Sequence, residues 1–304
     1  MKKMYIVLLT IIMSMAVGSV ASANPLKVAV SIVPQKYFVE EIGGERVDVT
    51  VMVPPSGSPA TYEPRPSQMA RLTKSQLYFS IGVPFERTWL PRMMNANPNL
   101  TLVDVSKGIT KIPMAAHVHE IDKDDDHGHG HGHGHEAEAD DHKDGILDPH
   151  IWLSPQLVLT IADNIYTALV AADPAGKSEY QKGYEQFRIK VQTLSANIAQ
   201  QAKQVKKRAF MVYHPSWGYL ADQYGLEQIP VELEGKEPGM RELAHIINVA
   251  KEEGITAIFV QPQFSRKQAE VIAQSIDAKV IVADPLAYEW EKNLQHVAKM
   301  FFQN

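Results

Sequence analysis

Three residues in this chain pair metal-donor chemistry with informative positions. His150 lies in Asp148-Pro149-His150-Ile151-Trp152-Leu153-Ser154, immediately ahead of a helix N-cap. His214 lies in Tyr213-His214-Pro215-Ser216-Trp217, where a strand-like run leads into a helical pattern, and Asp284 in Ala283-Asp284-Pro285 also follows such a run. Two imidazoles and a carboxylate make a nitrogen/oxygen set suited to zinc. Taken singly, each has a structural alternative, because a histidine at a loop start is commonly held by hydrogen bonds and Asp-Pro is a common turn. His245 and His296 fall inside helical patterns and read as packing or surface residues.

A second signal is louder and less specific. Between His117 and Gly145 stand eight of the twelve histidines: His117, His119, His127, His129, His131, His133, His135 and His142. Glycines alternate with the central five, so several rings could converge on one ion. Ten acidic residues against two lysines surround them and would concentrate cations. With almost no large apolar residue, the segment cannot offset the entropy of ordering itself and is expected to be a mobile loop.

The elements that must position His150, His214 and Asp284 are legible in the apolar runs. Strands are expected at 26–33, 47–53, 77–81 and 100–105, with helices over 36–42, 67–76 and 85–94. The rhythm returns with strands at 209–213, within 226–233, at 255–260 and at 279–283, and helices over 217–224, 241–253, 266–276 and 291–302. Alternation of this kind argues for two parallel sheets covered on both faces, an α/β fold. Ligands of open α/β sheets sit outside the carboxyl ends of strands. His214 and Asp284 would therefore face a crevice from one half and His150 from the other.

Between the halves the chain is helical. Ser154-Pro155 supplies an N-cap and first-turn proline for a helix to about 172. From Tyr180 an apolar stripe follows at spacings of three and four through Tyr184, Phe187, Val191, Leu194, Ile198, Ala202 and Val205. It predicts one helix of about 30 residues, roughly 45 Å long. A dimeric coiled-coil seam is the alternative to a strut packed along both halves. The expected organisation is 1–23 signal peptide, 24–172 N-terminal α/β domain containing the 117–145 segment, 173–207 linker helix and 208–304 C-terminal α/β domain.

Composition narrows the address and the partners. The 304 residues are 45% hydrophobic and 21% charged, as expected of packed domains, and the net charge of −5 gives no footprint for nucleic acid. Lys2 and Lys3, an apolar run from Met4 to Val17, and Ala21-Ser22-Ala23 form a cleavable export signal. The run is shorter than the ~20 residues a membrane span needs. There is no cysteine, hence neither a disulfide nor an acylation site, and the periplasm is the expected location.

Thr61-Tyr62-Glu63-Pro64 followed by Pro66-Ser67-Gln68, together with Asp148-Pro149-His150-Ile151-Trp152-Leu153, Tyr213-His214, Glu234-Gly235-Lys236-Glu237-Pro238 and Ala283-Asp284-Pro285, extend over the whole mature chain. In these motifs, and in the acidic His-rich insert ahead of His150, the chain resembles the metal-binding subunits of bacterial ABC transporters for zinc and manganese, the cluster nine solute-binding proteins, and within them the ZnuA-type zinc proteins. The resemblance implies two doubly wound α/β domains joined by one long linker helix, with the metal in the interdomain cleft. It implies a monomeric, non-enzymatic periplasmic receptor that hands Zn²⁺ to a membrane permease, with Mn²⁺ the less expected cargo because His214 resembles the zinc branch. His150, His214 and Asp284 match the second, third and fourth family ligands. The first, a histidine before Thr-Tyr-Glu-Pro, is replaced by Ala60. A water, a histidine of the 117–142 group, or Glu63 could complete the site. Two other functions compete: a zinc hydrolase with three ligands and a water, against which no catalytic motif is found, and a His-rich metal buffer or adhesin.

Overall fold

A computed structural model describes residues 24–114, 147–232 and 235–303. The export signal and the histidines at 117–142 lie outside the described residues.

The first half is a four-stranded parallel sheet of β1 (Leu26–Val30), β2 (Val47–Val51), β3 (Leu77–Ser80) and β4 (Thr101–Asp104), in the order β2-β1-β3-β4. Its helices are α1 (Val33–Gly43), α2 (Pro66–Leu72) and α3 (Pro84–Ala96). The second half repeats the plan with β5 (Ala209–Val212), β6 (Glu227–Pro230), β7 (Ala257–Val260) and β8 (Lys279–Val282), ordered β6-β5-β7-β8, again all parallel. Its helices are α6 (Gly218–Tyr224), α7 (Met240–Glu252), α8 (Lys267–Ile276) and α9 (Trp290–Gln303). Between the halves run α4 (Pro155–Ala172) and the 26-residue α5 (Lys177–Ala202).

Strand β1 ends three residues before the expected Val33, for a local reason. The N–H groups of Ser31 and Ile32 donate to Gln35 Oε1 at 3.0 and 3.1 Å, and Pro34 sits in the first turn of α1. A carboxylate fills the crevice that this sheet opens between β1 and β3. Glu86, 5% exposed, accepts from Ile81 N–H and Gly82 N–H at 2.8 Å and from the Ser31 hydroxyl, which also meets Tyr78 Oη at 2.8 Å. Burial raises the Glu86 carboxyl above the ordinary carboxylate range against these donors.

Helix α5 is a strut that packs on α1 and α4 of the first half and on α6 and α9 of the second. Tyr180, Phe187, Val191, Leu194, Ile198 and Ala202 of the stripe are buried. Val205 falls past the end of the helix. Gly183 permits the close crossing with α1, since a Cβ there would lie 2.4 Å from the Ile42 carbonyl oxygen.

One apolar core runs from the first sheet through α5 to a face of the second sheet, and another covers that sheet's opposite face. Strand periodicity divides them: Phe210, Val212 and Phe259 belong to the shared core, Met211, Ile258 and Val260 to the other. The indoles of two tryptophans tie the halves together. Trp152 Nε1–H donates to Pro285 O at 2.8 Å, and Trp290 Nε1–H donates to Trp152 O at 2.7 Å while its ring meets Phe38 edge-on.

Candidate metal centre

The cleft between the halves is a cavity of about 310 Å³. His150 and His214 both line it, with ring centroids 5.3 Å apart and planes at 72°. Each half therefore supplies one imidazole.

His150 stands in the segment that leads through a short helical turn, Ile151–Leu153, into α4, whose N-cap Ser154 Oγ accepts from Leu157 N–H. Asp148, 1% exposed, reaches forward two residues. Its Oδ1 accepts the His150 backbone N–H at 2.9 Å and lies 2.6 Å from His150 Nδ1. The segment is clamped from the other half by Tyr219 of α6, whose hydroxyl donates to Asp148 O at 2.7 Å and accepts from Ile112 N–H at 3.2 Å. Burial lowers the His150 imidazolium below the ordinary histidine range, although Asp148 pulls the other way. Its ring is thus held neutral, with Nε2 the nitrogen left for a metal.

His214 stands two residues beyond β5, at the topological switch point between β5 and β7. Gln261, the residue after β7, brackets its backbone, accepting from His214 N–H at 3.3 Å and donating to His214 O at 2.7 Å. Glu232, two residues beyond β6 and 6% exposed, has Oε2 at 2.6 Å from His214 Nδ1. Phe264 stacks on the imidazole at 17°. The two halves therefore present the same device, an imidazole whose Nδ1 is held by a buried carboxylate.

Asp284 takes a different place. It follows β8 and is partly buried, and its Oδ1 accepts from Leu286 N–H at 2.9 Å. It lines a neighbouring pocket with Val33, Pro55 and Lys292, and Leu286 borders both this pocket and the cleft. Among the described residues, no three His, Asp or Glu side chains are grouped closely enough to hold a metal ion. Ala60 and Thr61 stand on the cleft wall, whereas Glu63 is exposed and borders neither pocket. The chain leaves the described structure at Met114, itself on the cleft wall, and returns at Leu147, where Pro113 and Leu147 form an antiparallel bridge. Leu147 stands three residues before His150.

Sequence reasoning missed the carboxylates behind the two imidazoles. Asp148 had a signal, the Asx-type spacing of Asp-Pro-His, in which a carboxylate caps the N–H two residues on. Glu232 had none, because its pairing with His214 comes from the neighbouring ends of β5 and β6.

A family profile described as "Zinc-uptake complex component A periplasmic", ZnuA, matches residues 28–301. The "High-affinity zinc uptake system protein ZnuA" of Bacillus subtilis is 31% identical over 270 residues, which cover 88% of this chain and 80% of that one. A crystal structure of ZnuA superposes with a TM-score of 0.80 at 38% identity, covering 92% of this chain and 99% of the other. A ZnuA deletion mutant crystallised with zinc bound gives 0.79 at 38% identity, covering 91% and 97%. Among the described residues, no helix is long and apolar enough to cross a membrane.

Proposed function

Because the chain belongs to the ZnuA family of periplasmic zinc-uptake components, we propose that it captures Zn²⁺ in the periplasm and delivers it to the permease of an ABC transporter. The observation that carries this reading is the facing pair His150 and His214, one from each half, each with Nδ1 engaged by a buried carboxylate. Such a partner fixes the tautomer and raises the basicity of Nε2. A neutral His150 can bind a cation without first losing a proton, and Asp148 and Glu232 supply two negative charges to balance the dication.

Asp284 is the proposed third ligand, reached by a turn of its side chain past Leu286. Ala60 leaves a further position open, to be filled by water or another small donor. Two imidazoles favour zinc over manganese, which prefers oxygen donors. Both carboxylates nearest the pair are committed to imidazoles, which supports a receptor over a hydrolase needing a free general base. The 117–145 histidines are proposed as a collector that passes zinc inward; equal loading rates at low zinc with and without them would remove that part.

Zinc K-edge absorption on the loaded chain lacking residues 117–145 tests the ligand set. Two imidazole nitrogens and oxygen donors at roughly 2.0–2.2 Å are expected. A shell without imidazole would contradict the reading. Delivery is tested by zinc-dependent stimulation of a reconstituted transporter's ATPase, and its absence would remove the transport step.

A further inference from the structure

Two buried polar atoms of opposite kind stand beside one glycine behind His150. Asp148 Oδ1 is occupied twice, by His150 Nδ1 and by the His150 backbone N–H, whereas Asp148 Oδ2 has no hydrogen-bond partner among the described residues. Gln228 Nε2, on β6, is buried and unmatched in the same way. Both border one point: a Cβ on Gly218 would lie 2.8 Å from Oδ2 and 3.8 Å from Nε2. The Gln228 amide cannot turn its oxygen to that point, because Oε1 accepts the Trp217 backbone N–H at 2.7 Å. A buried amide N–H left bare costs free energy, and a bare carboxylate oxygen costs more. Glycine at 218 keeps a side chain out of the space between them.

We infer that Gln228 is a positioning residue for zinc capture: its Nε2–H donates to Asp148 Oδ2 past Gly218, directly or across one water, and so fixes the carboxylate that orients His150. Bonds to Oδ1 alone let the carboxylate swing about that oxygen. A donor on Oδ2 holds its plane, and with it the direction of the His150 ring. The support comes from the opposite half, since Gln228 belongs to the second sheet and Asp148 to the segment ahead of α4. Four residues after Gln228, Glu232 holds His214 Nδ1 at 2.6 Å. The stretch from β6 to Glu232 thus orders both imidazoles, one through Asp148 and one directly. The role rests on the zinc-receptor reading above and names a residue that sets the geometry of its first imidazole.

The test is a double-mutant cycle on the whole chain, with zinc affinity read by chelator competition and zinc held elsewhere subtracted with the His214→Ala chain. Gln228→Met keeps the reach of the side chain and removes the donor. It should weaken the His214-dependent site about tenfold in the native chain. With Asp148 already asparagine it should change affinity by no more than about twofold, because the carboxylate it acts on is gone. A purely structural role, through the Trp217 N–H, would weaken both backgrounds equally; that additivity would overturn the inference, as would undiminished affinity in Gln228→Met alone. If Gln228→Met does not fold, the Gln228 side-chain amide of the metal-free ¹⁵N-labelled chain is read instead. One Nε2 proton is expected well downfield of its twin, with the separation collapsing in Asp148→Asn, and an unchanged separation would overturn the link. Failure of the role alone leaves His214-dependent zinc in place, whereas its absence from the native chain would overturn both the role and the receptor reading.

Discussion

Replacing Asp148 with asparagine separates orientation of the ligand from support of the loop. Asp148 Oδ1 holds His150 twice, at Nδ1 and at the backbone N–H, from a position 1% exposed. Asparagine keeps an oxygen there but withdraws the charge, and a charge-assisted hydrogen bond is roughly twice as strong as a neutral one. Loss of such a partner behind a metal-ligating histidine costs ~10–100-fold in affinity. With the oxygen retained, the lower end is expected, about tenfold or ~1.4 kcal/mol. The new amide nitrogen takes the place of Oδ2, which has no hydrogen-bond partner among the described residues and lies 2.8 Å from where a Cβ on Gly218 would stand. Metal-free stability should fall by about 1–3 kcal/mol, since the new amide N–H groups stand buried without an acceptor. Zinc affinity by chelator competition and thermal unfolding of the metal-free chain are the assays. Unchanged affinity would refute the orienting role.

Three further substitutions probe the frame around the site. Glu86→Gln tests the buried carboxyl: because its folded-state value is raised, the stability it contributes is present below the unfolded value near ~4.3 and lost as pH rises through the folded value. The native chain should therefore lose stability relative to the variant across that window in melting curves, and a pH-independent difference would contradict this. Trp152→Phe removes the bond to Pro285 O and part of a fully buried ring, so denaturant unfolding should show about 2 kcal/mol lost; no loss would mean the indole does not couple the halves. Gly183→Ala gains ~1 kcal/mol of helix propensity but forces α5 away from the Ile42 and Glu41 carbonyls, so a net loss of ~1–3 kcal/mol is expected and a net gain would refute the close crossing.

Much of the scaffold could be read from local patterns because local physics decides it. Ser154-Pro155 opened α4 as expected, the stripe from Tyr180 to Ala202 buried as one face except for the half-buried Tyr184, and both sheets followed from the alternation of apolar runs. Boundaries shifted where side chains intervene. Gln35 ends β1 early, and Asn97 Nδ2 takes the Leu72 and Ser75 carbonyls where helix α2 was expected to continue. Motif position brought His150 and His214 to notice, and the fold puts them in one cleft. Asp284 was singled out by the same strand-end logic, yet β8 is the edge strand and delivers it to the next pocket. The pairing of Glu232 with His214, 18 residues apart, has no counterpart in sequence spacing.

The central claim is tested most directly by calorimetric zinc titration of the mature chain lacking residues 117–145, beside the same chain carrying His214→Ala. The account predicts one tight site that the substitution abolishes. A tight site that survives His214→Ala, or none in the parent, would contradict capture by the facing imidazoles.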